Sequence, residues 1–238
     1  MKCIVPLAGA DFHSASYGIK PLFPVDGEPL IEKVLLNRPW FRNGELGRED
    51  FVFVLRKGEG LEEFRDYLAR VFPVSRLVTL SHPTGGALLS AMAGASLLTD
   101  FDEPLVVDLA DILFSSDICA TRMFEDEPEL AGLLPYFESS EACFSYLLLE
   151  GSRVRRTAEK QVISTHASAG TYFFRTLSEF VTAAAGSLAA GDAYTYRGIH
   201  FVCPSFNALV ASGKLVRGVA VTDVVAVSSV FHLPSTTP

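Results

Sequence analysis

The 238-residue chain has no C-x-x-C pair, no long run of lysines or arginines, and no uninterrupted apolar stretch of membrane-spanning length. Each absence removes a class. Four cysteines, Cys3, Cys119, Cys143 and Cys203, lie scattered. They predict buried thiols in a reducing compartment, not a disulfide framework or a zinc site. A formal charge of −8 without a basic run argues against a nucleic-acid surface, so any phosphate site must be a local concentration of positive potential. The apolar tail from Val216 to Phe231 is broken by Arg217 and Asp223 and is too short to cross a bilayer. Met1-Lys2 leads straight into an apolar run, which predicts no signal peptide. The expectation is a cytoplasmic protein without membrane association, with homo-oligomerisation left open. Charged residues make up only 20% and hydrophobic ones 49%, a globular composition able to bury one sizeable core. Residues 1–238 are read as a single domain.

What is present is concentrated near the start. Cys3-Ile4-Val5-Pro6-Leu7 reads as a buried parallel strand. It empties into a loop of small and polar residues, Ala8-Gly9-Ala10-Asp11-Phe12-His13-Ser14-Ala15-Ser16, followed by Lys20-Pro21 and the turn Val25 to Pro29. Leu30/Val34 and Ile31/Leu35 then lie one helical turn apart. A strand opening into such a loop offers backbone N–H groups to an anion, and Lys20 adds a mobile cation.

Further on, Phe51–Leu55, Leu77–Leu80 and Leu105–Leu109 read as strands. A helix over Leu61 to Phe72 and an alanine-rich one ending near Leu98 separate them. This alternation predicts a doubly wound sheet with ligands at the carboxyl ends of its strands. Phe124 to Glu129 reads as a solvated acidic loop. After the third strand, Thr84-Gly85-Gly86 would let backbone groups approach a planar ring, although an ordinary strand-to-helix turn has the same composition. After the fourth, Asp111 is a carboxylate beside a buried run, compensated either by a divalent cation or by service as a helix N-cap. Asp108, three residues earlier, is a candidate supporting partner.

Three blocks, Leu7-Ala8-Gly9, Lys20-Pro21-Leu22 and Val25-Asp26-Gly27-Glu28-Pro29-Leu30-Ile31, resemble in order and spacing the opening of the nucleotidyltransferases that make nucleotide sugars. Asp11 stands where that family has a second glycine, and His13 where it has an arginine. The second half continues the resemblance through Phe144-Ser145-Tyr146-Leu147, Glu159-Lys160-Gln161-Val162-Ile163-Ser164, Ala169-Gly170-Thr171-Tyr172-Phe173-Phe174 and Tyr196 to Val210. There Ile199 replaces a glutamate. Phe231 to Thr236 carries His232 where many members have a metal-binding aspartate.

The resemblance implies a Rossmann-like nucleotide-diphospho-sugar transferase fold, α/β, with a mixed, mainly parallel central sheet flanked by helices. It implies Mg²⁺-dependent transfer of a nucleoside monophosphate from NTP to a sugar phosphate or similar phosphorylated acceptor. Leu7, Ala8, Gly9, Ala10 and His13 would border the nucleotide, with Thr84, Gly85 and Gly86 at the base. Lys20 would neutralise phosphate charge and Asp111 would hold magnesium. Glu159, Lys160 and Gly170 would bind the acceptor, the carboxylate receiving hydroxyls and the ammonium a phosphate. Two alternatives stand beside this. One is a binding protein of the same fold that has lost turnover, suggested by Asp11 and His13. The other is a glycosyltransferase using a nucleotide sugar, although the D-x-D expected after the fourth strand is missing.

Overall fold

A computed structural model describes residues 1–227; the segment from Phe231 to Thr236, with His232, lies outside the described residues. The first apolar run forms β1 (Lys2–Pro6), and the loop after it folds into a small hairpin, β2 (His13–Ser14) with β3 (Gly18–Ile19). A second hairpin, β4 (Pro24–Val25) with β5 (Glu28–Pro29), feeds α1 (Leu30–Leu35). Then follow α2 (Pro39–Arg42), β6 (Phe51–Arg56), α3 (Leu61–Val71), β7 (Arg76–Leu80), α4 (Ala87–Ala95) and β8 (Leu105–Asp108). β9 (Ile112–Ser115) and α5 (Ala120–Asp126) precede the long β10 (Leu130–Glu138). The hairpin β11 (Ser145–Glu150) and β12 (Arg153–Glu159) turns at Gly151, and β13 (His166–Ser168) and β14 (Thr171–Phe174) come next. Helices α6 (Leu177–Ala189) and α7 (Val202–Ala211) lead to β15 (Leu215–Ala220) and β16 (Thr222–Ala226).

Ten strands form one mixed sheet in the order β13-β11-β12-β15-β10-β14-β8-β1-β6-β7. Along this order β12, β13 and β14 run against the other strands. β8, β1, β6 and β7 form a continuous parallel block. At the other end β13 pairs with both β11 and β10, so β10, β15, β12, β11 and β13 close into a ring. The mixed α/β architecture is the expected one; the closed ring is not announced by any local pattern.

The central strands are buried on both faces, as parallel strands covered by helices must be. In β6, Phe51, Phe53 and Leu55 pack on the side of α1 and α3, while Val52 and Val54 pack on the side of α4, α6 and α7. Along α3, Leu61, Phe64 and Leu68 make the buried stripe. Gly94 lets α4 lie close to the sheet: a Cβ there would come 2.8 Å from Val54 Cγ2 and 2.9 Å from Ile4 Cγ2. Among the described residues no helix is long and apolar enough to cross a membrane.

One local expectation is corrected and one alternative is excluded. Phe124–Asp126 closes helix α5 instead of lying in a solvated loop, because Ala120 and Phe124, one turn apart, bury a common face. Asp111 caps no helix, since β9 begins at the next residue.

Candidate active site

The carboxyl ends of β1, β7 and β8 open onto one cavity of about 870 Å³. Leu7, Ala8, Gly9 and Ala10 line it from the first loop, Thr84 and Gly86 from the second, and Asp111 from the third. Lys20, Glu159, Lys160 and Gly170 complete its polar wall. The loops after β1, β7 and β8 meet because parallel strands deliver their following loops to one edge.

Lys20 begins a 3-10 turn whose next residue is Pro21, directly after the β2–β3 hairpin. Its ammonium lies 3.8 Å from Asp111 Oδ2 and 2.6 Å from Asp11 Oδ2. Burial works against its charge, but the two carboxylates prevail and raise the ammonium's pKa. Asp111 is raised above the ordinary carboxylate range by burial, with Asp11 and Asp108 adding to it against the pull of Lys20. Its side chain rests near Gly170, where a Cβ would stand 3.4 Å from Asp111 Oδ1. Gly170 also carries φ +71, which glycine adopts without strain.

Asp108 is withdrawn from the cavity. It is fully buried and takes a two-pronged contact from Arg38, Nε to Oδ2 at 2.7 Å and Nη2 to Oδ1 at 3.0 Å. Its Oδ1 also accepts from the Ala110 amide at 2.9 Å. Ala110 sits at φ +56, a conformation costly for a residue with a Cβ. The Arg38–Asp108 pair therefore supports the turn that presents Asp111.

On the far wall the chain solves a geometric problem at Lys160. Neighbouring strand residues point to opposite faces, yet Glu159 and Lys160 line the same cavity. The run Arg155–Ala158 just before them stays in β12, which pairs with β11. The backbone turns one step later, at Lys160, with φ +50. Glu159 is 7% exposed and accepts a hydrogen bond from the Ser145 hydroxyl. Burial pushes its carboxyl up to about 7, against the opposing effects of Ser145 and Lys160. The Lys160 ammonium stands 5.8 Å from the Tyr196 ring centre and 5.5 Å from that of Phe201.

Two expected residues do not line the cavity. His13 turns its Nδ1 toward Glu59, 3.5 Å from Oε2, so it stands beside the loop after β6. Gly85 spends its carbonyl on the His200 amide at 2.8 Å. The segment Tyr196–Phe201 turns tightly through Arg197 and Gly198, both at positive φ, and is sewn to the α4 entrance by that bond and by Leu88 N–H to the His200 carbonyl. Through it Ile199 and Phe201 become cavity walls. Sequence reasoning assigned no role to Ser90, Ser145 and Tyr172, which also line the cavity.

Asp11 and Asp111 flank the Lys20 ammonium, so carboxylate oxygens are available to a cation beside the phosphate-binding candidates. Among the described residues no group of three or more His, Cys, Asp or Glu could hold a metal. Magnesium is compatible with so sparse a set, because it commonly takes one or two carboxylates and completes its shell with substrate phosphates and water.

No protein-family model and no curated protein sequence matches the chain. Solved structures do. A nucleoside-diphosphate-sugar pyrophosphorylase from Vibrio cholerae superimposes with a TM-score of 0.77 at 20% identity, covering 95% of each chain. An inositol-1-phosphate CTP transferase from T. maritima gives 0.68 at 15% identity, covering 94% of this chain and 86% of the other. A UDP-glucose pyrophosphorylase complexed with UDP-glucose gives 0.66 at 15% identity over 97% and 94%. The chain has the fold of these proteins over nearly its whole length.

Proposed function

We propose that this cavity transfers a nucleoside monophosphate from an NTP to a sugar phosphate or a similar phosphorylated acceptor. The observation that carries the reading is the meeting of Lys20 and Asp111, 3.8 Å apart, in the cavity that also receives Thr84, Glu159 and Lys160. An oxygen of the acceptor phosphate attacks the α-phosphorus in line; the bond from the α-phosphorus to the bridging oxygen breaks and pyrophosphate leaves with the electron pair. Catalysis of this kind is mostly positioning and charge neutralisation. Lys20 neutralises phosphate charge at the small-residue loop. Asp111 would hold Mg²⁺, which when bound offsets the negative charge of the phosphates. Thr84 and Gly86 border the base, Lys160 takes the acceptor phosphate, and Glu159 takes its hydroxyls. The fold shared with the pyrophosphorylases supports this assignment.

A second reading, binding without turnover, is favoured by one observation: Asp11 lies on Lys20, where a phosphate would otherwise go. Both are tested by incubating common NTPs with sugar phosphates and phosphonates in the presence of magnesium and reading pyrophosphate. Acceptor-dependent release supports transfer. Saturable NTP binding without release would establish the second reading.

A further inference from the structure

One contact and one close approach of the Asp11 side chain bear on how the cavity fills. Its Oδ2 takes the Lys20 ammonium at 2.6 Å. Its Oδ1 lies 2.5 Å from where a Cβ would stand on Gly9, so the carboxylate folds back over the backbone of the loop after β1. That loop and that lysine are the two partners a phosphate group would need there. The Asp11 carboxylate already holds the lysine and lies over the loop.

The two carboxylates near Lys20 differ in their freedom to leave. Asp111 stands between β8 and β9, only 25% of its side chain exposed, and its carbonyl accepts from the Val227 amide at 3.0 Å. The Asp11 side chain is 64% exposed. Its backbone is secured, with the Tyr17 hydroxyl donating to the Asp11 carbonyl at 2.9 Å. Rotation about the side-chain bonds would therefore release the ammonium without unfolding the loop. Partial burial works to raise the Asp11 carboxyl, yet the Lys20 ammonium holds it below the ordinary range, so it stays anionic near neutrality.

We propose that Asp11 is an internal competitor for the phosphate seat: its carboxylate occupies Lys20 in the free protein and must swing away before a polyphosphate binds. The inference rests on the reading of Lys20 as a phosphate-holding group. A site whose competent state is only a fraction of the population binds correspondingly more weakly. Removing the competitor removes that handicap.

The test is calorimetric titration with inorganic tripolyphosphate, without metal, of wild type, Asp11→Asn, Asp11→Ser, Lys20→Ala and the double variant Asp11→Asn/Lys20→Ala. Asp11→Asn and Asp11→Ser are expected to bind about five- to tenfold more tightly than wild type, as when the competent state is roughly a tenth to a fifth of the population. In the Lys20→Ala background the gain from Asp11→Asn should fall to about twofold or less, the remainder of a general charge effect. Unchanged or weaker binding in both Asp11 variants overturns the inference while leaving the proposed function standing. An undiminished gain without Lys20 also overturns it, because the effect is then not competition for the ammonium. Failure of every variant to bind tripolyphosphate removes the phosphate reading of Lys20 itself, and the inference with it.

Discussion

Replacing Glu159 by glutamine should change how the stability of the protein depends on pH. Glu159 is 7% exposed, and folding raises its carboxyl from 4.5 to about 7. Across that interval the folded chain keeps a proton that the unfolded chain releases. The stabilisation is therefore fully present below about pH 4.5 and is lost as pH rises through about 7. At about 1.4 kcal/mol per pH unit, the interval corresponds to about 3 kcal/mol. Glutamine has no such proton to lose, and its carbonyl can still accept from Ser145. The new amide NH₂ needs partners of its own, but that cost is the same at every pH. Urea unfolding of both proteins from about pH 4.5 to 8 gives a difference curve that isolates this one group. The variant should gain about 3 kcal/mol on wild type across the range, or about 6–12 °C in melting temperature for a chain of this size. A flat difference curve would refute the reasoning, and would mean that solvent or Lys160 keeps the Glu159 carboxylate comfortable in the folded state.

Arg38→Met strands the Asp108 carboxylate, 0% exposed, without its guanidinium, and should cost about 3–5 kcal/mol in urea unfolding; adding Asp108→Asn should return part of the loss. Gly86→Ala would bring a Cβ to 2.1 Å from the His200 carbonyl oxygen at φ +132. It should lower the melting temperature by several degrees and weaken NTP binding, whereas Gly58→Ala, with nothing within 4 Å, should do neither. Lys160→Ala should cost the acceptor about 2–3 kcal/mol of binding, as for a lost charge-assisted contact, while sparing NTP. Calorimetry with each ligand decides that case, and equal losses for both would move the acceptor site elsewhere.

The parallel half of the sheet was legible because burial on both faces leaves nearly unbroken apolar runs, such as Phe51–Leu55 and Leu105–Val107. Strand order then places the loops after β1, β7 and β8 at one edge, so Lys20 and Asp111 could be paired from sequence without knowing any distance. Contacts chosen by the third dimension were not legible. Arg38 and Asp108 are separated by 70 residues, and nothing near either names the other. The ring closed by β13 depends on pairing to two strands at once, which leaves no periodic signal. Gly85 looked like a base reader because composition cannot reveal that its carbonyl is taken by His200. Lys160 shows the same limit from the other side. Its positive φ resolves the alternation problem with Glu159, and lysine gives no hint that it adopts it.

The most direct measurement of the central claim follows phosphorus labels placed separately at the α and γ positions of an NTP, with magnesium and a panel of sugar phosphates. Transfer as proposed sends the α label into a phosphatase-resistant nucleotide-sugar product and the γ label into pyrophosphate. Both should fall together in Lys20→Ala and Asp111→Ala. Release of the γ label as inorganic phosphate, or retention of both labels in intact NTP with every acceptor, would contradict the account.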